Sequence, residues 1–338
     1  VSDLTIVYGR LGGVGWHPVT ALAELAAELL EARLVTVPAD NLMRHAARLA
    51  SGLPRHRGRG TCLVIASQPR QLFSLLQPPY LLRGYAQVAG WVIDSFWHER
   101  IPRGTRIRSH YDRLFVTDPD DLEPWSDATR LPVSCLPWGA DVLRLGSDQP
   151  DRPVDLQRVG RQPAAWDDDL ATDQLMRGLG LTFRSRPPMS ETAGENQALL
   201  ARTFSNAKFT LSFSNVVSPA GYTHPTREYL TARWTDALAA GAVVAGIRPK
   251  SAATRSLLWP EATLELPSAA PTPEALQQLR KAVELWTPER ARHNHRIARQ
   301  NLDWRWRLQE LAHTLNVQAP RLQAEITLLR GEDAGSRQ

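Results

Sequence analysis

Short unbroken apolar runs, four to six residues long, recur along this chain. LTIVYG, LVTV, CLVIA, VAGWVI, RLFVT and VSCLPW follow one another through the first 138 residues. Each is rich in Val, Ile or Leu and none alternates cleanly with polar residues. A strand with that pattern must be covered on both faces. Between the first two runs, PVTALAELAAELLEA sets Leu22, Leu25, Ala26 and Leu29 at helical spacing. Doubly covered strands alternating with helices imply a parallel sheet layered between helices, an α/β fold.

The composition changes between about 144 and 155. RLGSDQPDRPVD is polar and aperiodic, with glycine and two prolines, and reads as a linker. A second alternation follows: LQRVG, a helix through LATDQLMRGLG, LTFRS, a helix through NQALLARTF, KFTLSFS, a further helix, AVVAG, ATLEL and a helix over 274–286. LDWRWRLQELAHTL reads as an aromatic, basic helix, and the closing GEDAGSRQ as a disordered end. The expected domains are therefore 1–145, 146–315 and a helix end with tail at 316–338. In doubly wound sheets ligands bind beyond the carboxyl ends of the strands. Two such sheets facing each other would form an inter-domain cleft.

A 338-residue chain that is 43% apolar can build two such cores. No apolar run reaches membrane-spanning length, and VSDLTIVYGR opens as a strand and not as a signal peptide, so a cytoplasmic protein is expected. Cys62 and Cys135 both lie in strand-like runs and read as inert thiols. The net charge of +5 suits anionic ligands, a diphosphate or an acidic lipid surface among them, and leaves peripheral membrane contact open. The arginines are spread over the chain without a block of like charge.

YGRLGGVGWHP links the first strand to the first helix. Its glycines let a backbone approach a ligand closely. It lacks the Gly-Lys-Ser/Thr of a P-loop, and Pro18 stands where a dinucleotide fingerprint needs its third glycine. Gly13 is the candidate contact to a ligand, and His17 a candidate general base. GWVIDSFWHERIP brings Asp94, Trp97, His98 and Glu99 to a strand exit. These are residue types suited to proton transfer, and Asp94 is the candidate taken forward. Asp167, Asp168 and Asp169 resemble an Asp-x-Asp metal site but precede a helix, where acids cap and complement the dipole. The cluster at Asp118, Asp120 and Asp121 reads the same way, and no metal site is expected.

REYLTARWTDALAAGAVVAGIRP, residues 227–249, has helical spacing from Arg227 to Ala240, with Thr223 or His224 as cap and Pro225 in the first turn. On a continuous helix Glu228 and Asp236 would lie roughly 12 Å apart. That span suits an extended nucleotide-sugar. One acid would meet sugar hydroxyls and the other both ribose hydroxyls. The diphosphate would sit at the helix N-terminus, with Arg227 or Arg233 adding charge-assisted bonds.

With Glu228, DALAAGAVVAG resembles the Glu-x7-Glu region of group-1-type GT-B glycosyltransferases, Asp236 being one methylene shorter than the second glutamate. RLFVTDPDD followed by LPWGADV resembles the end of their N-terminal domain, RVGR at 158–161 the opening of their nucleotide-binding domain, and NLDWRWR at 301–307 the tail of the spore-maturation-type branch. These pieces stand in family order over roughly 115–307. Gly-x-His-Pro, at Gly15 to Pro18, is similar to the loop of inverting enzymes with a loop histidine. The resemblance implies a GT-B fold of two facing Rossmann-like domains and transfer of a sugar from a nucleotide-sugar. It carries a sugar contact to Glu228, a ribose contact to Asp236 and a diphosphate contact to Arg161. The lysine usual after V-G-R is missing, with Arg233 or Lys208 as its replacement.

The expectation is a metal-independent glycosyltransferase with no cofactor beyond its donor, a UDP- or GDP-sugar. The acceptor would be a glycan or small molecule, the assembly a monomer or homodimer, and no nucleic acid is expected. Two alternatives stand beside it. A nucleotide-sugar epimerase would use the same plan, and a polyanion-binding module would use the Trp- and Arg-rich tail.

Overall fold

The computed structural model describes residues 3–38, 55–76, 84–102 and 107–334. It divides into two compact units, one formed by 1–137 with 305–338 and the other by 138–304.

In the first unit, β1 (Leu4–Arg10), β2 (Arg33–Pro38), β3 (Thr61–Ala66), β4 (Gln87–Val92), β5 (Arg113–Val116) and β6 (Val133–Cys135) form one parallel sheet in the order β2-β1-β3-β4-β5-β6. They occupy the apolar runs, as their pattern requires. Val7, Val64, Val92 and Val116 pack with Trp125 on one side. Helix α1 (His17–Leu29) buries Leu22, Leu25, Ala26 and Leu29. Trp125 belongs to α2 (Leu122–Thr129), and its indole donates to the Ser95 carbonyl at 2.7 Å.

The second unit opens with α3 (Val142–Leu145). Its sheet contains β7 (Val154–Arg158), β8 (Phe183–Arg184), β9 (Ala207–Phe213), β10 (Val243–Ile247) and β11 (Thr263–Glu265), all parallel, in the order β11-β10-β9-β7-β8. Interleaved are α4 (Asp169–Gly178), α5 (Ala193–Ser205), α6 (Ala232–Ala239), α7 (Ala252–Leu257), α8 (Pro273–Glu284) and α9 (Pro288–Asn301). Adjacent residues of β10 go to opposite cores. Val244 joins Trp234 and Phe204, while Val243 and Ala245 join Trp166 and Phe213. This is the physical reason its sequence shows no polar alternation.

Residues 144–155 do not separate the units. The Arg152 guanidinium donates to the carbonyls of Ala240 (2.7 Å), Ala207 (2.9 Å) and Phe204 (3.2 Å), tying the segment into the second unit. The tail contains α10 (Trp304–Leu315) and α11 (Pro320–Ala334). Within the first unit, buried Arg305 pairs with Glu325 at 2.6 Å, while Leu308, Leu311, Leu322, Ile326 and Leu329 are buried. A disordered end was expected from 331. The helix instead reaches Ala334, and 335–338 lie outside the described residues. No helix among the described residues is long and apolar enough to cross a membrane.

Candidate active site

In the second sheet the chain leaves β7 for β8 on one side and returns to β9 on the other. The β7/β9 boundary is thus the topological switch point, where a crevice opens at the strand ends. Arg161 follows β7, and Ser214 to Ser218 follow β9. The Arg161 Nε donates to the Ser218 carbonyl at 2.5 Å, and its guanidinium lies 5.3 Å from the Tyr222 ring. Gly160, at φ +72°, makes room for a second arginine, since a Cβ there would stand 2.8 Å from the Arg233 Cδ. Arg233, in the first turn of α6, donates to the Arg161 carbonyl at 2.5 Å. Burial, then the nearby charge of Arg161, pulls its pKa down to about 10, so it is still a cation at neutral pH. Arg186 adds to that repulsion. Neither Arg161 nor Arg233 has a carboxylate partner among the described residues. Two like charges held together without a counterion form a site for an anion.

The stretch expected to be one helix from Arg227 to Ala240 is not. Helix begins at Ala232 with Thr231 as the N-cap residue, and Thr223, His224 and Pro225 stand outside it. The Asn215 side-chain amide explains this. It donates to the carbonyls of His224 (2.9 Å) and Arg227 (2.8 Å), holding 224–227 as a loop. Glu228 therefore lies in that loop, and the helical separation from Asp236 does not apply. Its carboxylate accepts from the Ser214 hydroxyl and from the Lys250 N–H (3.1 Å), which fixes it beyond the ends of β9 and β10. Arg227 lies against the His224 ring, 3.1 Å away, so of the two arginines proposed for a diphosphate it is Arg233 that joins Arg161.

Asp236 is on α6, half-buried, with its carboxylate 3.5 Å from the Gln197 amide of α5. Burial, with the charge of Asp141 adding to it, pushes its pKa up to about 7. The Gln197 Oε1 is buried without a hydrogen-bond partner.

Lys208 must be corrected. It stands at the start of β9, the amino edge of the sheet, and its Nζ pairs with Asp155 at 2.6 Å. Burial alone would raise the Asp155 carboxyl, but the bonds from Lys208 and Thr182 outweigh it and hold the pKa below its ordinary value. The lysine is neutralised at the opposite edge from Arg161 and plays no part in this site.

Of the acidic triplet, Asp168 is the cap and the other two form ion pairs. Asp168 accepts from the N–H groups of Leu170 (2.9 Å) and Ala171 (3.0 Å), and Asp167 and Asp169 both bind buried Arg158. Asp118 likewise caps the turn after β5, but Asp121 does not behave as a cap and is buried against Ser95 and His98. Neither Cys62 nor Cys135 is in a disulfide, and burial raises the Cys135 thiol to about 12, leaving it protonated.

Gly13, His17 and Asp94 belong to the first unit. Gly13 adopts φ +99° with open space where a side chain would be, and its carbonyl accepts from the Trp16 N–H at 3.2 Å, turning the chain into α1. His17 is buried at the first position of α1 with Nδ1 unpartnered. Burial, then Arg10, lowers its pKa, so the ring is neutral at pH 7. Asp94 follows β4. Burial pushes it up to about 7, against the 3.5 Å hydrogen bond from Gln68 and the charge of Arg100. Both groups lie on the carboxyl edge of the first sheet; Asp94 titrates near neutrality, while burial keeps the His17 ring neutral there.

Sequence reasoning missed Gly160 as the glycine that admits Arg233, along with Ser214, Gln197, Arg186 and the Asp121–His98 pair. The first two were within reach, as the G of V-G-R and the residue ending an apolar strand. Gln197 and Arg186 come near the second-unit site only through folding, and Asp121 meets His98 in the first unit in the same way.

Two parallel α/β units with flanking helices in one chain make up the GT-B fold. Among solved structures, that of Anabaena Alr3699/HepE in complex with UDP and glucose is similar over 93% of this chain and 100% of its own, with a TM-score of 0.56 at 11% identity. The complex of the same protein with UDP-glucose gives 0.55 over the same shares. The structure of TcCGT1 in complex with UDP covers 94% of this chain and 99% of its own, at a TM-score of 0.47 and 11% identity. No family model and no curated protein sequence matches the chain.

Proposed function

We propose that this chain is a glycosyltransferase that moves a sugar from a nucleoside-diphosphate sugar to an acceptor hydroxyl, without a metal. The observation that carries the reading is the Arg161–Arg233 pair, two guanidiniums without a carboxylate at the switch point of a GT-B fold. A diphosphate would supply the missing counter-charge. As the bond to the sugar breaks, negative charge grows on the departing diphosphate, and these preorganised cations stabilise it. They do the work a divalent ion would otherwise do. The N-terminus of α6 adds its partial positive charge. Glu228 would orient sugar hydroxyls, and Asp236 with Gln197 the ribose. A hydroxyl attacking the anomeric carbon must lose its proton, and His17 and Asp94 are groups of the first unit able to accept one. The similar HepE structures hold UDP with glucose and UDP-glucose, which supports a UDP-sugar as donor.

An epimerase of the same plan would release product without an acceptor. A polyanion-binding tail is disfavoured by the tail itself, where Trp304 is buried edge-on against Trp138 and Arg305 is spent on Glu325.

The test is a thermal-shift and calorimetric screen against UDP, GDP, ADP, CMP and dTDP. One nucleoside diphosphate is expected to raise Tm. Arg233→Met should weaken its binding about tenfold or more, the loss of one or two charge-assisted bonds. Lys208→Met should leave nucleotide affinity unchanged. Binding that persists in Arg161→Met and Arg233→Met would reject the site.

A further inference from the structure

A third arginine of the second unit stands beside the Arg161–Arg233 pair. Arg186 follows β8, the strand next to β7, and the register of the two sets Arg184 opposite Gln157. The buried Gln157 amide carries that neighbourhood past the strand ends. It donates to the Arg184 carbonyl at 3.2 Å and the Ser185 carbonyl at 2.8 Å, and to the Arg158 carbonyl of its own strand at 2.8 Å. Counted on in the same register, Arg186 comes level with Val159, one residue before the glycine that admits Arg233. Neighbouring strands lie about 4.8 Å apart. Pro187 and Pro188 come next, which keeps Arg186 in extended backbone and stiffens the chain after it.

The backbone of Arg186 is thus fixed, but its guanidinium is held weakly. Nη2 is 3.7 Å from the Asp167 Oδ1, beyond hydrogen-bond reach, and the side chain is 44% exposed. The same carboxylate oxygen already accepts from Arg158, which is buried and also binds Asp169. An exposed pair at that separation contributes little. Arg186 can leave Asp167 at small cost, and Asp167 keeps its partner. In the other direction the charge of Arg186 reaches Arg233 and helps to pull its pKa down. Three guanidiniums brought together repel one another, and an anion with several oxygens relieves that repulsion.

Strand order gives this arginine a place along an extended ligand. The sheet runs β10-β9-β7-β8. Glu228 lies beyond β10 and β9, Arg161 and Arg233 meet beyond β7, and Arg186 lies beyond β8. Gln197, assigned above to the ribose with Asp236, stands on α5, the helix that follows β8. Arg186 falls between the diphosphate pair and the ribose side.

We propose that Arg186 is a third phosphate-binding residue and holds the α-phosphate, the one bonded to the ribose. The proposal rests on the glycosyltransferase reading above. Without nucleotide the guanidinium leans on Asp167, and with nucleotide it turns to the phosphate. The α-phosphate is common to a nucleoside monophosphate, a diphosphate and a nucleotide-sugar. Arg186 therefore strengthens all three alike and does not distinguish donor from product.

Calorimetry and ligand displacement on the full chain test this. The probes are the monophosphate, the diphosphate and the diphosphate-glucose of uridine, guanosine, adenosine and thymidine. Arg186→Met should weaken all three members of the set that binds by about tenfold, to the same extent, with Tm unchanged. Arg186→Lys, which keeps the charge without the planar fork, should recover part of the loss. Asp167→Asn releases the guanidinium and should leave affinity equal to wild type or higher. Three results would overturn the proposal and leave the transferase reading standing: diphosphate binding in Arg186→Met within twofold of wild type, a loss confined to diphosphates, or an equal loss in Asp167→Asn, which would make the ion pair a structural tether. Wild type that binds none of the four diphosphates would remove both.

Discussion

Asp236 shows how an ionisable residue reports its surroundings. In the unfolded chain its carboxyl ionises near pH 4. In the fold, burial and Asp141 hold it protonated up to about 7. Between those values the native state binds more protons than the unfolded state, so stability falls as pH rises. Tm is therefore expected to drop from pH 5 to pH 8, and Asp236→Asn, which cannot ionise, should flatten part of that slope. Asp94 adds to it in the same direction, since burial raises it likewise. Thermal melts across the range in both proteins check this. A wild-type Tm that rises from pH 5 to 8, or an unaltered slope in the variant, would contradict the assignment.

Elements locate these residues, and their ends are set by side chains that bond back to the chain. Asp168 starts α4 by accepting two N–H groups, Thr192 starts α5, and Thr272 starts α8. Asp168→Ala should cost about 1 kcal/mol of stability, the ordinary loss of a cap. It should leave transfer unaffected and unaltered by added Mn²⁺ or by EDTA. A metal site would respond to all of these. At α6 the logic runs the other way. Its cap residue Thr231 makes no side-chain cap bond, and Asn215 holds the preceding segment as a loop. The helix was therefore legible in the periodicity of 230–240, but its beginning was not. The bonds that shorten it come from a residue 17 positions earlier than Ala232. Helix α9 passed unread because RARHNHRIARQN carries almost no apolar stripe. It packs through small Ala291 and Ala298, and the amide of Asn294 bonds Trp259 and the Ala242 carbonyl.

At the scale of the molecule, the first unit is not continuous in sequence. Residues 305–338 return to it, bringing Leu308, Leu311, Leu322, Ile326 and Leu329 into burial. Buried Arg305 opposite Glu325 ties α10 to α11. Ending the chain at 304 would strip apolar cover from the first unit and leave the second whole. Calorimetry should then show a first-unit transition lowered by 10 °C or more, or absent, with the second retained. A melting profile like that of the full chain would show that the tail contributes no stability.

Much of this architecture was present in the order of residues. Unbroken apolar runs can only be doubly covered strands, because a half-exposed strand would alternate. Strand–helix alternation then required parallel sheets, and the two halves of the chain each carried one. Arg233 and Asp236 were also legible as charged groups on one helix, and Arg161 as the arginine that the family resemblance points to, while the start of that helix was not. What the tertiary structure alone decided is which charges are free. Lys208 and Arg161 are both cations near strands, yet Asp155 neutralises one and no carboxylate among the described residues meets the other. Asp120 and Asp121 are neighbours in one acidic cluster, yet only Asp121 is buried against a histidine 23 residues away. Charge pairing and burial act through distance in space, and a local sequence pattern carries no record of distance between residues far apart in the chain.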